Sequence, residues 1–348
     1  MPRPPHALQD RPNVDLREAW EILRVAQPNI RPREASLAIG VSEAELVATS
    51  CGADTIRLAP PWTSLVADLA LLGRVVAQTR TARSILELRG IYPVRTVVTE
   101  STAGIDVRPH YGHWHVGYAR REGRMRQLAF YDRGGAAVHK IFVVDESRGE
   151  AWETLARRHA HPVQTPVERL PPSRPSRIRP DAAIDGAALK TGWAALKGTE
   201  GIEALLDAHG VTRLQALRLV GPRWAARIPS TVLARVLRQV SVDATPLTVT
   251  VTNRGCDQAY RGPLQRVYSS GRWLNARALD MSLQVRADRI ATAWLVRAPL
   301  FAGVAHALEF YDTAGDPVLQ LSGARDANEP DPGRWAALAS RLVRPETR

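Results

Sequence analysis

Lysine is nearly missing from this chain. Lys140, Lys190 and Lys197 are the only 3 among 47 basic residues, which leaves 44 arginines. The formal net charge of +12 invites a polyanionic partner. The arginines are scattered rather than blocked, however, and so lopsided a ratio reflects base composition as much as function. Charge alone is therefore weak ground for a nucleic-acid partner. Cysteine is equally scarce: Cys51 and Cys256 have neither metal spacing nor a disulfide framework, which favours a reducing compartment. No apolar stretch follows Met1-Pro2-Arg3-Pro4-Pro5, and no uninterrupted apolar run is long enough for a bilayer. The expectation is a cytoplasmic protein. No phosphate-binding loop, glycine-rich dinucleotide turn or Ser-His-Asp motif is present.

What the chain does contain is a second copy of itself. Leu128-Ala129-Phe130-Tyr131-Asp132, with Gly135 and Val138, returns as Leu308-Glu309-Phe310-Tyr311-Asp312, with Gly315 and Val318, at an offset of 180 residues. Leu16 to Trp20 returns as Leu189 to Trp193 at offset 173, and Gly40-Val41-Ser42 as Gly210-Val211-Thr212 at offset 170. Three anchors in one order describe a duplicated domain, since solenoid periods run only about 20–50 residues. The expected organisation is a first repeat over 14–160, a Pro/Arg-rich linker over 161–184 and a second repeat over 185–342.

Within each repeat the helix signals come first. Asp15 caps a stripe of Leu16, Trp20 and Leu23, Ser42 to Glu45 forms a capping box, and Ser64 to Val76 reads as a third helix. Strands are expected over 94–99, 113–119, 126–131 and 137–144, and again over 247–252, 290–296, 305–311 and 317–321. Residues 1 to about 13 read as disordered. Helices followed by strands give an α+β fold: two tandem repeats, each with N-terminal helices packed on an antiparallel β-sheet.

Two constellations need weighing. Ala35 to Leu46 has the outline of a helix-turn-helix, the pattern of a DNA-binding regulator. Its second helix would begin Glu43-Ala44-Glu45, carrying two carboxylates to where phosphates must be met, and the same turn recurs at Gly210. A packing corner used twice is the better account. His113 and His115 would share one strand face, yet no carboxylate or cysteine stands beside them at zinc spacing.

Several longer strings go further. Trp193-Ala194-Ala195-Leu196, His209 through Leu219, Asn253-Arg254-Gly255-Cys256, His113-Trp114, Gly117-Tyr118 and Val138-His139-Lys140-Ile141 resemble the HemS-type bacterial hemin-degrading factors. The resemblance runs from about Leu16 to Trp335. It implies a cytoplasmic protein that takes haem as ligand or substrate, receives it from import and either delivers it or opens its ring. A haem importer and a haem oxygenase are the implied exchange partners, and a non-catalytic haem carrier or sensor is the alternative. In that family one haem lies between second-half helices and the sheet. By resemblance Arg89 reaches its distal face, and Arg213, Gln320 and Arg325 fit the pocket pattern.

The largest departure is at the iron. The family's axial histidine position is held here by Glu200, in Lys197-Gly198-Thr199-Glu200-Gly201-Ile202. No histidine occurs between His161 and His209, and His209, nine positions on, faces the opposite side of the helix at about 100° per residue. An aromatic position is Thr250, a lysine position Ala298 and a tyrosine position Ser322. Haem proteins ordinarily use His, Cys, Met or Tyr on the iron. A glutamate is a hard anionic donor that holds ferric iron weakly; equally, a carboxylate at a helix N-terminus is favoured by the dipole with no ligand role. Both readings of Glu200 stay open at this point.

Overall fold

The computed structural model describes residues 15–93, 104–166, 168, 170–171, 178–301, 303–326 and 329–342. The expected strand over 94–99, the N-terminal 13 residues and the middle of the expected linker lie outside the described residues. Two compact units form, and each draws on a distant piece of chain. The first comprises Met1–Thr79, Arg89–Arg174 and Arg254–Cys256; the second comprises Arg80–Leu88, Pro175–Asn253 and Asp257–Arg348.

The first unit opens with α1 (Leu16–Ala26), α2 (Pro32–Ile39) and α3 (Glu43–Ala48). Asp15 accepts from the Arg17 amide at 3.0 Å, and Ser42 and Glu45 cap α3 reciprocally. Trp20, Ala35 and Leu46 draw the three helices into one small core. Then come β1 (Thr55–Leu58), α4 (Trp62–Asp68) and β2 (Val75–Arg80). The long helix expected over 64–76 is thus cut short. Leu69–Leu72 tighten into a 3₁₀ turn, and Gly73 at φ 65° redirects the chain into β2.

The remaining elements of this stretch are β3 (Ser84–Gly90), β4 (Asp106–Pro109), β5 (Val116–Glu122), β6 (Met125–Tyr131), β7 (Ala137–Val143) and α5 (Gly149–Arg158). The first unit's strands run β1-β5-β6-β7-β2, with antiparallel pairing. Ala44, Val47 and Ala48 of α3 pack on Val116, Tyr118, Ala129 and Tyr131. His113 and His115 do not share a strand face: His113 ends a 3₁₀ turn and His115 precedes β5.

The second unit has α6 (Gly186–Ala194), α7 (Gly201–His209), α8 (Arg213–Leu219), β8 (Ala225–Ile228), α9 (Val232–Val242), β9 (Leu247–Asn253), β10 (Cys256–Gly262), β11 (Arg266–Ser270), β12 (Trp273–Ala278), β13 (Met281–Val285), β14 (Thr292–Leu300), β15 (Gly303–Tyr311), β16 (Pro317–Gly323) and α10 (Gly333–Arg341). One set of strands runs β10-β9-β16-β15-β14-β8 and another runs β3-β13-β12-β11.

The α+β tandem repeat is plain in the details. Gly40 and Gly210 both close a helix in the left-handed region, at φ 86° and 58°. The β6–β7 and β15–β16 pairings both slip register at the Phe-Tyr step. In each hairpin turn an aspartate oxygen, on Asp132 or Asp312, accepts two backbone amides ahead of a positive-φ glycine, Gly135 or Gly315. The most conspicuous repeated string is therefore turn chemistry, not catalysis.

Candidate functional site

In the second unit α6, α7 and α8 lie over a core of Trp294, Val296, Ala298 and Leu300 from β14 and Ala305 and Tyr311 from β15. Trp193 is fully buried there and donates its indole N–H to the Arg297 carbonyl at 2.9 Å. Helix α6 approaches α7 closely at Gly192, where a Cβ would stand 2.5 Å from Leu205 Cδ1. A side chain at 192 would require Leu205 to move aside.

The two-residue period puts Ala307 and Glu309 on the same face as Ala305 and Tyr311. Register then sets Gln320 beside Glu309 and Thr250 beside Gln320, with Ser322 beside Ala307 and Thr248 beside Ser322. The apolar core draws on β8, β14 and β15 and stops short of β16 and β9. Thr248, Thr250, Gln320 and Ser322 are accordingly half-buried, a polar strip on a sheet face that is otherwise closed by helices. Ala298, Thr250 and Ser322, the positions at which the resemblance implies larger side chains, all belong to this face.

Arg213 is the first residue of α8, after the Thr212 cap. It is bound inward. Its Nε and Nη2 donate to Glu309 Oε2 and Oε1 at 3.2 and 2.5 Å, its guanidinium lies 5.2 Å from the Trp193 ring centroid, and the Tyr311 hydroxyl donates to Glu309 at 2.6 Å. Burial alone would lower the guanidinium's pKa; the charge and hydrogen bonds of Glu309 outweigh it and hold the pKa above its ordinary value. Burial, then the adjacent Glu309 charge, pushes the Tyr311 phenol well up, so it stays a donor.

The other expected positions are distributed differently. Gln320 is in the strip. Arg325, past the end of β16, donates to the carbonyls of Asp326 and Glu329, and its Nε lies 3.4 Å from Asp331, which also holds His306 at 2.8 Å. It is built into the loop before α10. Glu200 is exposed at the N-cap of α7 with helical backbone angles and makes no capping hydrogen bond. Its carboxylate folds back over Gly198, where a Cβ would meet Oε1 at 2.2 Å. Arg89 is exposed near the end of β3 and belongs to the first unit.

Glu309 and Tyr311 were visible in the sequence without being read as a site. The signal was the one mismatch in the repeated string, Glu309 where the first copy has Ala129. The first unit has a buried pair of opposite sense: Glu43, which opens α3 as Arg213 opens α8, is ion-paired to Lys140 on β7. Five of the six residues of α3 are buried, Glu43 among them. A helix so enclosed has no face left for a DNA groove, which removes the helix-turn-helix reading. No cluster of three or more His, Cys, Asp or Glu residues able to hold a metal ion occurs among the described residues, and no described helix is long and apolar enough to cross a membrane.

The sequence model of the haemin-degrading HemS.ChuX domain matches residues 40–159 and 210–342. The chain is 27% identical to the hemin transport protein HmuS of Yersinia pestis over 340 residues, covering 95% of this chain and 98% of that one. It is 36% identical to holo-PhuS, a heme-binding protein from Pseudomonas aeruginosa, with a TM-score of 0.86 over 94% of this chain and 98% of that chain. The Escherichia coli O157:H7 heme degrading enzyme ChuS shares the fold, at 24% identity and a TM-score of 0.85 over 94% and 99% of the two chains.

Proposed function

The chain belongs to the haemin-degrading HemS/ChuX domain family, and on that premise we propose that it binds haem on the β15–β16–β9 face of its second unit and carries it within the cytoplasm. The observation that supports this most is the polar strip of Thr248, Thr250, Gln320 and Ser322 beside an apolar core. A planar ring that is apolar over most of its area and polar at its propionate edge matches such a face. The relatives are named for binding or transporting haem.

Carriage fits the residues better than ring opening. The position from which the family ligates iron carries Glu200, an exposed carboxylate directed over Gly198. An anionic oxygen donor favours ferric over ferrous iron and so works against reductive chemistry on the bound haem. The floor is also less filled, with Thr250, Ala298 and Ser322 in place of larger groups, so haem gains less packing there. Arg213 gives its hydrogen bonds to Glu309; its part is to hold α8 on the sheet.

The test is a hemin titration followed in the Soret region. A saturable one-to-one change, weakened about tenfold or more in Gln320→Leu and strengthened in Ser322→Tyr, is expected. An unsaturable change, or one indifferent to both substitutions, would remove this face from the site.

A further inference from the structure

We propose that the face of the β3-β13-β12-β11 strands bearing Arg266 and Arg277 is an oxyanion site, taking a carboxylate or phosphate group of a small ligand. This lies beyond the haem reading and does not depend on it. The register sets Arg266 of β11 directly opposite Arg277 of β12, Arg277 opposite Ser282 of β13, and Ser282 opposite Glu87 of β3. Paired residues share a face, so the row reads Arg, Arg, Ser, Glu. The guanidinium of Arg266 lies 4.8 Å from the ring centroid of Tyr268, two residues along on the same face, which fixes the direction of that side chain.

Like charges directly opposite one another across a strand pair are destabilising. Neither arginine has an ion-pair partner among the described residues, whereas Arg286, nearby in sequence, holds Asp288 through two nitrogens at 2.7 and 2.8 Å. Glu87, the acid of the row, sits two strands beyond Arg277, about 10 Å at the usual strand spacing. Next to Arg277 the Ser282 side chain is buried, with 6% of the residue exposed, and its hydroxyl has no hydrogen-bond partner. An orphaned buried hydroxyl costs stability unless something supplies its partner. Two unpaired guanidiniums beside an orphaned hydroxyl are what a planar or tetrahedral oxyanion completes. It would accept from both arginines and from Ser282 Oγ, relieving the repulsion and the orphaned donor together. In the neighbouring row of Tyr268, Asn275 and Gln284, Asn275 is buried with its Nδ2 donating to the Trp273 carbonyl, so Tyr268 and Gln284 are what the row offers to the remainder of such a ligand.

The experiment uses the full chain with two probes, inorganic phosphate followed by ³¹P line broadening and carboxyl-labelled benzoate followed by ¹³C line broadening. Saturable binding of either is expected, lost about tenfold or more in Arg277→Gln and Arg266→Gln and reduced in Ser282→Ala, with Arg218→Gln as the unaffected control. Binding of phosphate alone identifies a phosphorylated ligand, and of benzoate alone a carboxylate. Thermal unfolding supplies a second reading. In buffer free of both anions Arg277→Gln should raise Tm by about 1–3 °C, because it removes the facing charge. Failure of both probes, binding that survives Arg277→Gln, or a lower Tm for that variant without added anion would overturn the proposal.

Discussion

Arg213 and Glu309 make the sharpest demand at the scale of single residues. Glu309 is buried and Arg213 half-buried, and each satisfies the other, so removing Arg213 leaves an uncompensated buried charge on Glu309. Arg213→Ala is expected to lower unfolding free energy by about 3–5 kcal/mol, while Arg213→Met with Glu309→Gln, which keeps an acceptor for Tyr311, recovers most of it. Urea unfolding of both variants checks this, and it makes the single substitution unsuitable as a probe of haem binding. His139 carries a pH dependence. It is buried between the Tyr92 hydroxyl on Nε2 and Thr79 Oγ1 on Nδ1 at 2.9 Å, and burial lowers its pKa from 6.5 to about 3. The unfolded chain therefore binds a proton below pH 6.5 that the folded chain refuses until about pH 3. Stability falls as pH falls across that window, by about 1.4 kcal/mol per unit from this group, and is unaffected above it. His139→Gln should flatten the slope of stability against pH between 6 and 4. At Glu200, replacement by histidine should sharpen the Soret band of the haem-loaded protein and speed its decay with ascorbate. An unchanged spectrum would mean that this position does not meet the iron. A single sequence displays such residues only when they break a pattern, as Glu309 does against Ala129; the buried role of Arg213 depended on a partner 96 positions away.

Elements were legible where local chemistry and burial agreed. The helices α1 and α3 begin at their expected caps, and the strands β6, β7, β9, β15 and β16 fall within two residues of their expected bounds, because period and end signals coincide there. The strands β10 to β13 were not read at all. One face of β11 and β12 carries Arg266, Tyr268, Ser270, Asn275 and Arg277, all polar or amphipathic, so the apolar alternation that marks a half-buried strand is diluted. The helix expected through Val76 failed for a different reason: a run of leucines suits 3₁₀ and α geometry alike, and Gly73 decided the end. Helix crossings are invisible to period. Gly192→Val would drive a branched side chain into Leu205 and is expected to cost about 1–3 kcal/mol or more, with α6 displaced from α7. A lowered denaturation midpoint with reduced hemin affinity checks it. Unchanged stability would show that the crossing has slack.

For the whole molecule the duplication was plain from the sequence, but the division of the chain was not. Cutting at the Pro-rich stretch looks natural, yet the second unit includes Arg80–Leu88. Five residues of β3 pair with β13, Ser84 Oγ donates to the Val318 carbonyl, and Arg83 pairs with Asp312 at 3.1 Å. A fragment of residues 175–348 should therefore unfold at lower denaturant than the full chain's second unit, with the edge of β13 bare. A peptide of residues 80–90 should raise its Tm, with the logarithm of peptide concentration once the site is saturated. A fragment indifferent to that peptide would show that the strand adds nothing to the unit's stability. Nothing in the period of either repeat could foretell this, since pairing between distant strands is set by tertiary packing.

Arg254–Cys256 belong to the first unit, where Cys256 Sγ stands 3.4 Å from Thr79 Oγ1 and the Gly255 carbonyl receives the Trp114 indole. On the ribosome, then, the amino-terminal unit cannot finish when its own repeat has been made. Roughly a hundred further residues must emerge before its last strand of contacts arrives, about 5–20 s at ordinary elongation rates. For that interval the nascent chain presents Thr79, Trp114 and His139 without their closing neighbours. Translation speed and chaperone occupancy between the two repeats thus enter the yield of native protein, and pauses coded just before residue 254 should lower it.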